Sequence, residues 1–106
     1  MINGILRGSL ESMETPFKSI SIKIVGLVQG VGFRASLERE AKGLNLVGMV
    51  KNEPDGAVYA EVEGPSSHIE KLVAWCHKGP RFAKVSRVEV KDIPQRGFTE
   101  FQILRW

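Results

Sequence analysis

The chain has 106 residues, 42% of them apolar and 25% charged, with fifteen basic against twelve acidic side chains for a net charge of +3. That is one ordinary globular domain, too short for a (β/α)₈ barrel or a two-domain kinase. The small basic excess suits an anionic ligand but is too dispersed to imply nucleic acid. One cysteine, Cys76, excludes an internal disulfide and any Cys₄ or Cys₂His₂ metal site. No run approaches the roughly 18 apolar residues of a membrane helix, and the start lacks a convincing signal peptide, so a cytoplasmic protein is expected.

Residues 1–17 show no clear period and carry Gly4, Gly8, Ser9, Ser12 and Pro16. They are expected to form a flexible extension before a single domain at 18–106. The strict alternation of Ile20, Ile22 and Ile24 predicts a half-buried first strand ending at Gly26. A glycine-bearing loop, 27–32, follows. Phe33, Leu37, Ala41 and Leu44 then recur at helical spacing, with Gly43 as a stop. Leu46 to Lys51 predicts a second strand. Glu53-Pro54-Asp55-Gly56 predicts a tight turn into a third, where Val58, Ala60 and Val62 alternate with polar residues. Ser67 and Glu70 have capping-box spacing, and Ile69, Leu72, Val73 and Cys76 form the stripe of a second helix ending near Gly79-Pro80. A fourth strand covers Val85 to Lys91, with Val88 and Val90 inward. Phe98 to Leu104 can form a short fifth.

The order βαββαβ plus a terminal strand is the split βαβ, ferredoxin-like pattern, an α+β sandwich of mainly antiparallel sheet with both helices on one face. It places strand three between parallel strands one and two. The carboxyl ends of strands one and two therefore meet at one edge, together with loop 27–32, the first helix's start and Asn52. A strand, a glycine-rich loop and a helix start can cradle an anion on backbone N–H groups, with Arg34 in the first turn adding a two-pronged contact. The plainer alternative is a tight turn followed by a solvated arginine. The loop is no P-loop, because Phe33-Arg34 follows Gly32 where Lys-Ser/Thr is needed. The dinucleotide fingerprint lacks its third glycine, where Ala35 stands. A cysteine-phosphatase nucleophile would stand six positions before Arg34, and Val28 is there. Any hydrolysis must therefore use water.

Gly26-Leu27-Val28-Gln29-Gly30-Val31-Gly32-Phe33-Arg34 resembles the first signature of the acylphosphatase family. Gly48-Met49-Val50-Lys51-Asn52, with Asp55, Gly56 and Val58 after it, resembles the second. Gly79-Pro80, Ala83, Val85, Phe98 and Phe101 resemble later landmarks, so the likeness runs over about residues 19–106. It implies a cytosolic, cofactor-free and metal-free hydrolase that splits acyl phosphates into carboxylate and inorganic phosphate. It assigns phosphate binding to Arg34 and positioning of the attacking water to Asn52. Gln29, Gly30, Val31, Gly32 and Phe33 would supply backbone donors. Met49 stands where the family often has an aromatic residue and Ala35 where it often has a bulky one, both expected beside the site.

The chemistry is coherent: a carboxylate leaves as a stable anion near pH 7 and needs no general acid. The expected partner is a small acyl phosphate, with no nucleic acid, no membrane and a monomeric chain. The competing class is a noncatalytic ferredoxin-like module binding RNA or a small regulatory ligand. RNA-binding versions stack bases on aromatics of the central strands, where this sequence offers only Tyr59. Without the signature, Asn52 reads as a turn residue. His68 and His77 read as surface residues of helix two, Cys76 as core, and Glu53 and Asp55 as turn residues rather than an acid–base pair.

Overall fold

The computed structural model describes residues 16–105. The elements are β1 (Phe17–Leu27), α1 (Phe33–Gly43), β2 (Val47–Asn52), β3 (Val58–Pro65), α2 (Ser66–Cys76), β4 (Lys84–Asp92) and β5 (Phe101–Ile103). They build a five-stranded sheet in the order β4-β1-β3-β2-β5. β1 pairs antiparallel with β3 and β4, β2 antiparallel with β3, and β5 runs parallel to β2. This is the ferredoxin-like arrangement of the sequence pattern. The reading of residues 1–15 as an extension lies outside the described residues. Phe17, assigned there too, opens β1 and pairs with Pro65.

Strand alternation sets the core. Ile20, Ile22 and Ile24 oppose Val62, Ala60 and Val58 across the β1–β3 ladder, and all six are buried. They meet Leu37 and Ala41 of α1 and Ile69, Leu72 and Cys76 of α2 in one apolar cluster. Both helices thus cover the same face. Cys76 is buried in that cluster, and desolvation pushes its thiol up to about 12, so it stays protonated and unreactive.

Four local expectations change. The capping box at Ser67 and Glu70 does not form, because α2 begins at Ser66 after Pro65, with no side-chain cap. Its first N–H donates instead to the Pro16 carbonyl, at 2.8 Å. The left-handed stop of α1 is Asn45, at φ 57°, rather than Gly43. Leu46 N–H then reaches the Ala41 carbonyl and Asn45 N–H the Lys42 carbonyl, a Schellman closure. Val90 shares the helix-covered face with its partner Ile22, but α2 lies over β1 and β3 and leaves Val90 45% exposed on the edge strand. His68 is half-buried rather than at the surface, and its Nδ1–H donates to the Leu44 carbonyl at 2.8 Å, tying α2 to the end of α1.

Glu63 is the one buried carboxylate among the described residues, at 1% exposure. It accepts hydrogen bonds from the backbone N–H groups of Arg96, Gly97 and Phe98, the last two at 3.3 Å. It thereby shapes the connection from β4 to β5. Replacement by glutamine turns one acceptor into a donor facing donors. Glu63→Gln should destabilise the fold by about 2–3 kcal/mol, the scale of a hydrogen bond to a charged group. Chemical denaturation checks this, with kcat/KM per folded molecule expected to stay near the parent value.

Candidate active site

The loop after β1 carries Gly30 and Gly32, both at φ 79°, a left-handed conformation that costs other residues steric strain. Two such turns reverse the chain and deliver it into α1, with Gly32 as the N-cap and no side chain capping the helix. No backbone N–H of residues 30–34 donates to another described group. A helix start leaves these donors unsatisfied and carries positive potential. No acidic residue occupies the first turn of α1, so nothing local competes for them.

Phe33 anchors the loop from below. It is buried at 2% and packs edge-on against Trp75 of α2, with ring centroids 5.4 Å apart. Gln29 anchors it from the side. Its Nε2 donates to the Glu53 carbonyl at 2.8 Å and the Ala57 carbonyl at 2.9 Å, the two ends of the β2–β3 turn. The turn is closed by Glu53 N–H to the Ala57 carbonyl and by Ala57 N–H to the Asp55 carboxylate. Lys23 pairs with Asp55 at 2.8 Å, and the hydrogen bond from Lys23 holds the Asp55 carboxyl below its usual range. Glu53 and Asp55 are therefore turn residues.

Asn52 is the last residue of β2. It has the same parity as Gly48 and Val50, so it faces the helices at the end where α1 begins. A pocket of about 140 Å³ opens there, lined by Gly30, Gly32, Phe33, Arg34, Asn52 and Arg105, with Val28, Ala35 and Ile103 completing the wall. The Arg34 guanidinium and the Asn52 carboxamide make no hydrogen bond or ion pair with the described residues. The sheet topology thus brings Arg34 and Asn52, eighteen positions apart, into one cavity with the loop.

Gln29 and Val31 do not line the cavity; Gln29 contributes as the latch between the loop and the β2–β3 turn. Ala35 stands in the wall as expected. Met49 does not stand beside the site: its odd position points it to the opposite sheet face, across from Glu61. Arg105, just beyond β5, is a pocket residue that sequence reasoning missed. Nothing local marks it. It arrives because β5 adds in parallel beside β2 and carries the chain to Asn52's end. Among the described residues no group of three or more His, Cys, Asp or Glu side chains could hold a metal ion.

A family model described as Acylphosphatase matches residues 20–103. The chain belongs to the acylphosphatase family. It is 47% identical over 83 residues to an acylphosphatase of Thermococcus kodakarensis, covering 78% of this chain and 91% of that one. The structure of an acylphosphatase from Coxiella burnetii superposes with a TM-score of 0.82 at 32% identity, over 89% of this chain and 98% of that one. The acylphosphatase of Bacillus subtilis superposes at 0.81, with 34% identity over 85% of this chain and all of that one. Acylphosphatases are hydrolases, and the ferredoxin-like fold here is theirs. The RNA-binding alternative is not favoured. The face of the central strands away from the helices carries Tyr59 beside Glu61, with Phe17 only at the far end of β1 and Glu63 buried under residues 96–98, so no run of stacked aromatics crosses it. Nor is any described helix long and apolar enough to cross a membrane.

Proposed function

We propose that this acylphosphatase hydrolyses the carboxyl–phosphate bond by direct attack of water, with Arg34 holding the phosphoryl group and Asn52 positioning the nucleophile. The observation that carries the reading is the convergence on one small pocket of Arg34, Asn52 and five backbone N–H groups, none of which has a hydrogen-bond partner among the described residues. Arg34 presents a planar fork that matches two phosphoryl oxygens. The amides of Gly30 to Phe33 surround the remaining charge, at the positive end of α1. Arg105 adds a second cation at the mouth.

The water oxygen forms a bond to phosphorus while the bond from phosphorus to the acyl oxygen breaks. The electron pair of that bond leaves on the carboxylate, and a proton of the water passes to a phosphoryl oxygen. The products are a carboxylate and inorganic phosphate. Positioning and charge stabilisation are what phosphoryl transfer chiefly requires. The leaving group ionises near pH 4 as the free acid, so it departs without a proton donor. No step needs a cofactor or a metal. We place this hydrolase in the cytoplasm, and its pocket, lined by residues of one chain, supports action as a monomer.

Incubation with a simple aromatic acyl phosphate, followed by its loss in the ultraviolet, tests the proposal. Hydrolysis should proceed at the same rate with and without EDTA. An intact substrate, or activity lost to chelator and restored by a divalent metal, would overturn it.

A further inference from the structure

The pocket is assembled from two chain segments that the sheet does not join directly. The glycine loop follows β1, and Asn52 is the last residue of β2. β3 stands between those two strands. The β1–β3 ladder ends at Ile24 and Val58, and residues 25–27 of β1 pair with β4 alone. The chain therefore parts from β3 several residues before it reaches the pocket. Among the described residues no backbone hydrogen bond runs between residues 28–33 and residues 52–57.

The Gln29 side chain makes that link. Its Nε2 donates to the Glu53 carbonyl at 2.8 Å and to the Ala57 carbonyl at 2.9 Å. Glu53 follows Asn52 directly, and Ala57 precedes Val58, the register partner of Asn52. The Ala57 carbonyl also accepts the Glu53 N–H, so the three groups form one junction. A primary amide carries two N–H donors on one nitrogen, which is what two converging carbonyls require. On the other side, Gln29 is the immediate neighbour of Gly30, where the unpaired loop amides begin. The latch thus ties the residue before the first loop amide to the residue after Asn52. Phe33 seats the far end of the loop independently, against Trp75.

We propose that Gln29 is a positioning residue for the hydrolysis, fixing the distance and angle between the phosphate cradle and the Asn52 carboxamide. The inference rests on the reading of Asn52 as the residue that directs the water. Gln29 does not line the pocket, so it acts through Asn52 rather than on the reacting atoms. Attack needs the water held opposite the departing carboxylate, and a displacement of about 1 Å costs on the order of 10²-fold in rate. A cradle and a carboxamide that drift independently spend less time in that arrangement. The cradle keeps its amides and Arg34, so anion binding survives loss of the latch.

The test is a double-mutant cycle with Gln29→Met, since methionine has nearly the same length, carries no charge and donates nothing. Rates are taken per folded molecule, with the folded fraction read from chemical denaturation. Gln29→Met should lower kcat by about 10-fold, a partial misplacement on that scale. Affinity for inorganic phosphate should stay within about two-fold, because its donors remain. Gln29→Ala should behave in the same way. In the Asn52→Ala background Gln29→Met should cost no further turnover, because no carboxamide is left to position. Parent kcat in Gln29→Met, or a loss that multiplies with that of Asn52→Ala, would overturn the latch. So would phosphate affinity falling in step with kcat, which would make Gln29 a shaping residue of the cradle alone. Asn52→Ala with parent turnover would overturn the reading of Asn52 and the latch with it, so that one variant tells the two failures apart.

Discussion

Arg34→Lys should lose nearly as much activity as Arg34→Ala, with kcat/KM down by about 10²- to 10⁴-fold in both, corresponding to about 3–5 kcal/mol of transition-state stabilisation. The reasoning starts from the position of the side chain. Arg34 stands in the first turn of α1, lines the pocket and has no partner among the described residues. No carboxylate has to be displaced before it can bind a phosphoryl group. A guanidinium offers two parallel N–H donors in one plane; an ammonium offers a point charge on a flexible stem. Lysine therefore keeps the attraction and loses the orientation. Both KM and kcat should suffer, because the fork contacts oxygens that gain charge as the bond breaks. Steady-state kinetics with a phosphate titration on the same samples measures the two losses separately. A lysine variant with near-parent kinetics would show that charge alone is used.

The elements that were legible in the sequence are those whose cause is local. Ile20, Ile22 and Ile24 alternate because one sheet face is buried, and that rule acts within six residues. Gly30 and Gly32 mark the loop because its backbone needs left-handed turns, again a local cause. From these came the fold class, Arg34 in the helix's first turn, and Asn52 at the meeting edge. What was not legible depends on partners far along the chain. Gln29 reads as one more loop residue until the turn at Glu53 and Ala57, more than twenty positions on, supplies its acceptors. Glu63 reads as a solvent-facing strand residue until the 96–98 backbone folds over it. The capping box at Ser67 and Glu70 failed for the same reason. The carbonyl of Pro16, fifty positions earlier, takes the Ser66 N–H, and the helix starts two residues sooner, with Pro65 as its N-cap. Met49, which the resemblance places beside the site, stands on the other sheet face because strand parity separates it from Gly48, Val50 and Asn52.

Asn52→Ala should lower kcat by about 10²-fold or more and leave phosphate affinity within a small factor of the parent, the size of effect expected when a nucleophile is displaced by about 1 Å. An amide does not titrate in this range, so Asn52 cannot act as a base, and its contribution must be geometric. Its carboxamide offers both an acceptor and donors, enough to hold a water's proton and direct the lone pair at phosphorus. The competing account makes Asn52 a shaping residue of the β2–β3 hairpin. The contacts speak against it. That turn is closed by Glu53 and Ala57, by the Asp55 carboxylate, by Lys23 and by the Gln29 latch, none of which uses the Asn52 side chain. Removing the carboxamide should therefore change stability by no more than about 0.5 kcal/mol, as for a side chain outside any packed or bonded feature. Arg34 and the loop amides remain in place, so the ground-state anion keeps its donors. Melting temperature, phosphate affinity and turnover on one preparation separate the two accounts. A stable variant with slow turnover and intact phosphate binding assigns Asn52 to the water. A destabilised variant whose turnover per folded molecule is unchanged assigns it to the hairpin.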